Sequence, residues 1–208
     1  MRVYGYLMGA IAAFILLEVW LFRSGTAGTL ARALAGTNWM LVLGGFMVVG
    51  WLARGLAARA RSAPAQFAGL ALYVVAQAII FTPMISVADD RAGGGVIASA
   101  AVLTGLAFVG LTLIAWQTRK DFTFLGGLLR WAGILALVAI AGSVFFGLNL
   151  GMWFSLAMVA LAGGAILYDT SKIIRYWPSD RPVGAALELF ASVALMFWYL
   201  LRLLSGRR

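Results

Sequence analysis

Apolar residues run along this chain in seven long blocks separated by short polar breaks, at about 3 to 22, 38 to 53, 66 to 88, 94 to 117, 123 to 146, 151 to 175 and 183 to 204. Read as helices, such blocks are long enough to cross a bilayer, because about 20 residues rising 1.5 Å each span roughly 30 Å. The pattern predicts an all-α polytopic membrane bundle of seven transmembrane helices, a single integral domain over residues 1–208. Val3 to Phe22 is a full span and not a short signal core, so the first helix is expected to stay in the mature protein.

Connections are short. The longest, Arg23 to Thr37, is broken by Gly25, Gly28 and Gly36, and Thr37 or Asn38 can cap the helix that follows. The link from Ala53 to Ala65 carries Arg54, Arg59 and Arg61, and Asp89, Asp90, Arg91 and three glycines join the third and fourth spans. Ala101 and Gly105, and Gly163 and Gly164, are small residues placed for close helix contact. Pro83 is expected to bend the third helix, with Gln77 and Thr82 near the bend able to hydrogen-bond across helices. Trp39, Trp51, Trp116, Trp153, Tyr176 and Trp177 lie near span ends, as interfacial belts require.

Composition narrows the chemistry. At 63% hydrophobic and 11% charged, the chain has too little polar surface to coat a soluble globule. Its net charge of +9 forms no basic face, so the reading is a lipid bilayer partner and no nucleic acid. With no Cys and no His, thiolate or imidazole metal sites, His-ligated haem and Ser-His or Cys-His nucleophiles are excluded, and neither an enzyme nor a cofactor is expected.

The positive residues read as topology. Arg2, Arg54, Arg59, Arg61, Arg119, Lys120, Lys172, Arg175 and Arg181 fall on one side, nine against the six of Arg23, Arg32, Arg91, Arg202, Arg207 and Arg208. The bias puts the amino terminus in the cytoplasm of a plasma (inner) membrane. A re-entrant seventh span with a cytoplasmic tail would make the count twelve against three.

Four charges lie well inside the spans: Glu18, Arg130, Asp169 and Glu188. Each costs at least about 2.5 kcal/mol in hydrocarbon, so each needs a partner, water or a task. Glu18 is expected to be neutralised by Arg23 near the outer end of the first helix. Arg130 can snorkel to the interface near Lys120 or pair with a carboxylate. Asp169 fits two readings: a helix-end carboxylate paired with Lys172, with Arg175 beyond it, or a buried group on a permeation route. Because the sixth and seventh spans are joined by a short turn, Asp169 and Glu188 are expected to face each other, share a proton and bind or pass a hard cation through oxygen ligands.

Five segments stand out together: Phe81-Thr82-Pro83-Met84-Ile85, Arg119-Lys120-Asp121-Phe122-Thr123-Phe124-Leu125, Ala165-Ile166-Leu167-Tyr168-Asp169, Ala186-Leu187-Glu188-Leu189-Phe190 and Leu200-Leu201-Arg202. They resemble the Bax-inhibitor-type family, also called the transmembrane Bax inhibitor motif family. The resemblance implies a central seventh helix and a pH-sensitive calcium leak controlled by aspartates in the sixth and seventh helices. Asp169 matches the first aspartate, and Ser192 stands where the second belongs. Glu188, one turn earlier on the same helical face, could supply the missing carboxylate. The family's pairing arginine corresponds to Arg59 or Arg61.

Two functions follow as expectations. One is a cation leak, for calcium, gated by Asp169 and Glu188 with Ser192 beside them, both carboxylates serving as ligands to a permeant or bound calcium ion. The other, which the resemblance also permits, is a non-conducting regulator that recognises membrane-protein partners in stress response or proteolysis control. Tyr168-Asp169 resembles the first motif of intramembrane aspartyl proteases, but no Gly-x-Gly-Asp follows. A retinal receptor would need a lysine in the seventh span, and the lysines here are Lys120 and Lys172.

Overall fold

In the computed structural model the described residues are 2–60, 62–92, 95–118, 120–147, 149–178 and 180–206, with backbone alone described at Trp39, Arg59, Arg91 and Ala92. The expectations placed on Arg61, Gly93, Gly94, Arg119, Arg207 and Arg208, and on the side chains of Arg59, Arg91 and Trp39, lie outside what is described. The secondary structure among these residues is all α: α1 (Arg2–Arg23), α2 (Thr26–Ala35), α3 (Trp39–Arg59), α4 (Ala63–Ala92), α5 (Gly95–Gln117), α6 (Leu125–Phe146), α7 (Met152–Arg175) and α8 (Pro182–Ser205). Seven of these helices are long and apolar enough to cross a membrane, and α2 is the exception. This chain is a multi-pass integral membrane protein.

Two boundaries correct the sequence reading. Residues 23–37 are not an open loop, because Thr26–Ala35 forms helix α2 between the breaks at Gly25 and Gly36. Gly25 reaches the left-handed region (φ 75°), which glycine enters without steric cost, and this lets α1 end and α2 begin within two residues. The second span runs on to Arg59, so Arg54 is a helical residue and not part of a linker. Asn38 caps α3 as expected, its side chain accepting from the Met40 N–H at 2.9 Å. Pro83 sits inside α4, which continues past it to Ala92.

The chain divides into two units, residues 1–90 with 177–190 and residues 91–176 with 191–208. Helix α8 contributes residues 182–190 to one unit and 191–205 to the other. It is the most buried span, 67% of its apolar window against 44% for α4 and less for the rest.

In the first unit α1 and α4 run in the same direction, since Tyr6 meets Phe67 edge-on at 5.2 Å and Phe14 meets Phe81 at 5.4 Å. Glycines set the closest approaches. A Cβ on Gly69 would lie 2.6 Å from the Ala53 carbonyl oxygen, and one on Gly184 would lie 2.8 Å from that of Ala57, so α3 packs backbone to backbone against α4 and the start of α8. Arg181 secures the same corner by donating from Nη1 to the Ala58 carbonyl at 2.9 Å, where the end of α3 carries partial negative charge.

In the second unit α7 packs against α5 and α6. Its core holds Ala162, Ile166 and Met196 with Phe108 and Leu111, and a second cluster of Ala136, Met158 and Tyr199 with Phe154 and Trp198. Gly163 meets Leu111 and Met196, and Gly164 meets Leu129, so the small pair of the sixth span serves packing as expected. Ala101 and Gly105 do not: Ala101 is exposed and a Cβ on Gly105 would meet nothing within 4 Å.

Candidate functional site

Asp169 lies about 9 Å of helix before the end of α7 and is buried at 9% exposure. Ser192 on α8, itself buried, donates from Oγ to Asp169 Oδ2 at 2.6 Å. At 2.6 Å the bond lies at the short end of the O–H···O range. Thr170 and Ser171 are also fully buried, with Thr170 Oγ1 lacking a hydrogen-bond partner among the described residues.

Ser171 leads to a second acidic residue that sequence reasoning did not single out. Asp121, in the loop between α5 and α6, accepts at Oδ2 from the Tyr176 hydroxyl at 2.7 Å and at Oδ1 from the Thr123 N–H at 2.9 Å and from Ser171 Oγ at 3.4 Å. Ser171 Oγ in turn accepts from the Phe122 N–H at 3.0 Å. The Thr123 hydroxyl foremost, then the Tyr176 hydroxyl and the Thr123 N–H, hold the Asp121 carboxyl down at about 2, and the bond to Asp121 raises the Tyr176 hydroxyl. Its place in the Arg119 to Leu125 segment was the available signal. Tyr176 therefore closes a loop onto α7 as well as standing at a span end.

Glu188 is half-buried in the first unit, seven residues into α8, and its Oε2 lies 3.5 Å from Arg54 Nε. The Arg54 guanidinium also stands over the Tyr73 ring at 5.7 Å, and Tyr73 is buried edge-on against Phe190. Arg54 was not among the expected charge partners. Arg130, exposed, donates from Nε to the Gly126 carbonyl of its own helix at 3.2 Å. Lys172 lies over the Tyr168 ring at 5.6 Å. Arg175, exposed at the end of α7, adds a favourable charge beside Asp121.

Glu18 departs most from expectation. It forms no ion pair with Arg23. It is buried at 6% exposure, with Oε2 3.3 Å from Thr82 Oγ1 on α4 and Oε1 without a hydrogen-bond partner among the described residues. The helical face that carries Leu7, Ala10, Phe14 and Glu18 turns inward, and Arg23 falls on a different side of α1. Of the expected α4 pair, Thr82 makes the cross-helix contact, whereas Gln77 Oε1 is buried with no partner among the described residues.

Among the described residues no three acidic side chains converge as a metal would require. A resident calcium ion takes six to eight oxygens, more than either carboxylate of the second unit gathers with its hydroxyl neighbours among the described residues, Asp169 with Ser192 or Asp121 with Ser171 and Tyr176. An ion in passage would make fewer demands.

Seven spans, a deeply buried last helix and an acidic residue held by a hydroxyl inside the membrane define a class of helical membrane proteins. The particular family follows from comparison: the model described as "Inhibitor of apoptosis-promoting Bax1" matches residues 1–208, and the chain belongs to this Bax-inhibitor-type family. It is 36% identical over 152 residues to an uncharacterized protein of Campylobacter jejuni, a match covering 69% of this chain and 63% of that one. It is 31% identical over 126 residues to "Modulator of FtsH protease YccA" of Escherichia coli (60% of this chain, 57% of that one). It is also 31% identical over 136 residues to "Protein LIFEGUARD 1" of Arabidopsis thaliana (61% and 58%). Each match spans less than two thirds of the relative's own length.

Proposed function

We propose that this protein is a membrane-embedded modulator of a membrane-bound protease, recognising its partner laterally within the bilayer. The observation that carries this reading is the likeness to a relative named as a modulator of the FtsH protease. The surface agrees with it. Large apolar side chains on α6, among them Leu128, Trp131, Ile134 and Val138, are more than half exposed, while the connections between spans are short. A protein so built has little besides its helix faces to offer another membrane protein. A photo-crosslinker at Trp131, in membranes containing an FtsH-type protease, is expected to trap that protease, and capture of lipid alone counts against the proposal.

A second reading, a pH-sensitive cation leak with calcium as cargo, draws support from the buried Asp169 and Ser192 pair at the position where the resemblance places two aspartates. In it Asp169 gates the path, with Ser192 and Glu188 four residues apart on one face of α8. Liposomes loaded with a calcium dye distinguish the two: the leak reading expects flux that changes with pH and is lost in Asp169→Asn and altered in Glu188→Gln. Equal flux in wild type and both variants at every pH removes it.

The orientation belongs to the same proposal. With the amino terminus cytoplasmic, Ser62→Cys is labelled by a membrane-impermeant thiol reagent only after the membrane is opened, whereas Ser24→Cys is labelled in intact cells. The native chain has no Cys to confuse the result. Ser205→Cys reports whether the last helix crosses or returns.

A further inference from the structure

We infer that Glu18 is a proton-binding site inside the membrane, a neutral carboxylic acid that donates its proton to Thr82. The argument is a count of donors. Thr82 Oγ1 lies 2.9 Å from the Ala78 carbonyl one turn back in α4, the usual bond of a helical threonine, and 3.3 Å from Glu18 Oε2. A hydroxyl has one proton to give. The shorter contact is to an atom that can only accept, so the Thr82 proton belongs to Ala78. What remains on Thr82 Oγ1 is a lone pair, and a contact between a lone pair and Glu18 is a bond only when the carboxyl brings the proton.

The surroundings require the same. No cation pairs with Glu18 among the described residues, its second oxygen Oε1 meets no donor among them, and the residue is buried at 6% exposure. Phe14, one turn before Glu18, packs on Phe81, the neighbour of Thr82, and walls the group with aromatic carbon. An ionised carboxylate here would have two oxygens seeking donors and none committed to them, which is the arrangement buried charges avoid. The neutral acid has one donor and one acceptor matched, with a carbonyl-type oxygen left over, the orphan group that buried sites tolerate best. The ligand of this site is therefore a proton.

Infrared difference spectroscopy of the protein in lipid at pH 7, wild type minus Glu18→Gln, reads the protonation state directly. A carboxylic-acid C=O band present in wild type and missing in the variant is the expected result. That band should move to higher frequency in Thr82→Val, which removes the acceptor, and return in Thr82→Ser. Glu18→Gln, the neutral isostere, should keep the wild-type melting temperature. The inference is overturned if the spectra differ only in carboxylate bands. It is equally overturned if the Glu18 signal shifts on adding sodium or calcium, which would make the site a cation site, or if Thr82→Val leaves the acid band where it was.

Discussion

Ser192 Oγ and Asp169 Oδ2 stand 2.6 Å apart, hydroxyl to carboxylate, and join α8 to α7 inside the membrane. Removing the hydroxyl in Ser192→Ala takes a hydrogen bond from a buried carboxylate, which should cost about 1.5–3 kcal/mol. Thermal unfolding in detergent checks this, with Ser192→Thr as the variant that retains the hydroxyl. An unchanged melting temperature in Ser192→Ala would mean the bond contributes nothing net.

Glu188 and Arg54 offer the contrast. Their side chains are 29% and 47% exposed. Both residues lie within spans, where an open side meets lipid and headgroups and not bulk water, so the discount for a solvated surface pair does not apply. Glu188→Gln strands the Arg54 charge and should cost more than the about 1 kcal/mol of a solvent-exposed pair, with melts that change little between low and high ionic strength; a smaller, salt-sensitive loss would place the pair in water.

Gly69 and Gly184 should tolerate no side chain. A Cβ at either would meet backbone atoms at 2.6 and 2.8 Å, and helix backbones do not yield as side-chain tips do. Overpacking of this kind costs roughly 1–3 kcal/mol, so Gly69→Ala and Gly184→Ala should lower the melting temperature clearly. Gly44→Ala in α3, whose Cβ would meet nothing within 4 Å, is the control and should be neutral or better.

Asp121 predicts an acid limb of stability. Its carboxyl is held at about 2, below the ordinary 3.8, by the Thr123 hydroxyl, Tyr176 and the Thr123 N–H. A group depressed on folding stabilises fully above its unfolded value and loses that contribution as pH falls through its folded one. The melting-temperature gap between wild type and Asp121→Asn should therefore be constant above about pH 5 and close between about pH 4 and 2. A gap that persists at pH 2 would assign the effect to something other than this ionisation.

The seven spans were legible in the sequence because length and apolarity alone identify a bilayer crossing. Helix α2 was not, since Gly25, Gly28 and Gly36 read as breaks, yet only Gly25 and Gly36 bound the helix and Gly28 lies within it. Helical spacing marked Ala101 and Gly105 as a contact pair but could not say which face turns inward. The partners of Gly69 and Gly184 lie on other helices, which local sequence does not reveal. For the same reason Glu18 was assigned to Arg23, its near neighbour in sequence, whereas folding placed it against Thr82, 64 residues away. Asp169 and Ser192 were legible because motif alignment carries long-range information that periodicity lacks.

The most direct test of the proposed role is the rate at which an FtsH-type protease degrades a membrane substrate in proteoliposomes, with and without this protein. A modulator should change that rate severalfold, in proportion to the protein added, and substitutions on the exposed face of α6 such as Trp131→Ala should reduce the effect without unfolding the chain. A degradation rate that is the same at every ratio of protein to protease would contradict it.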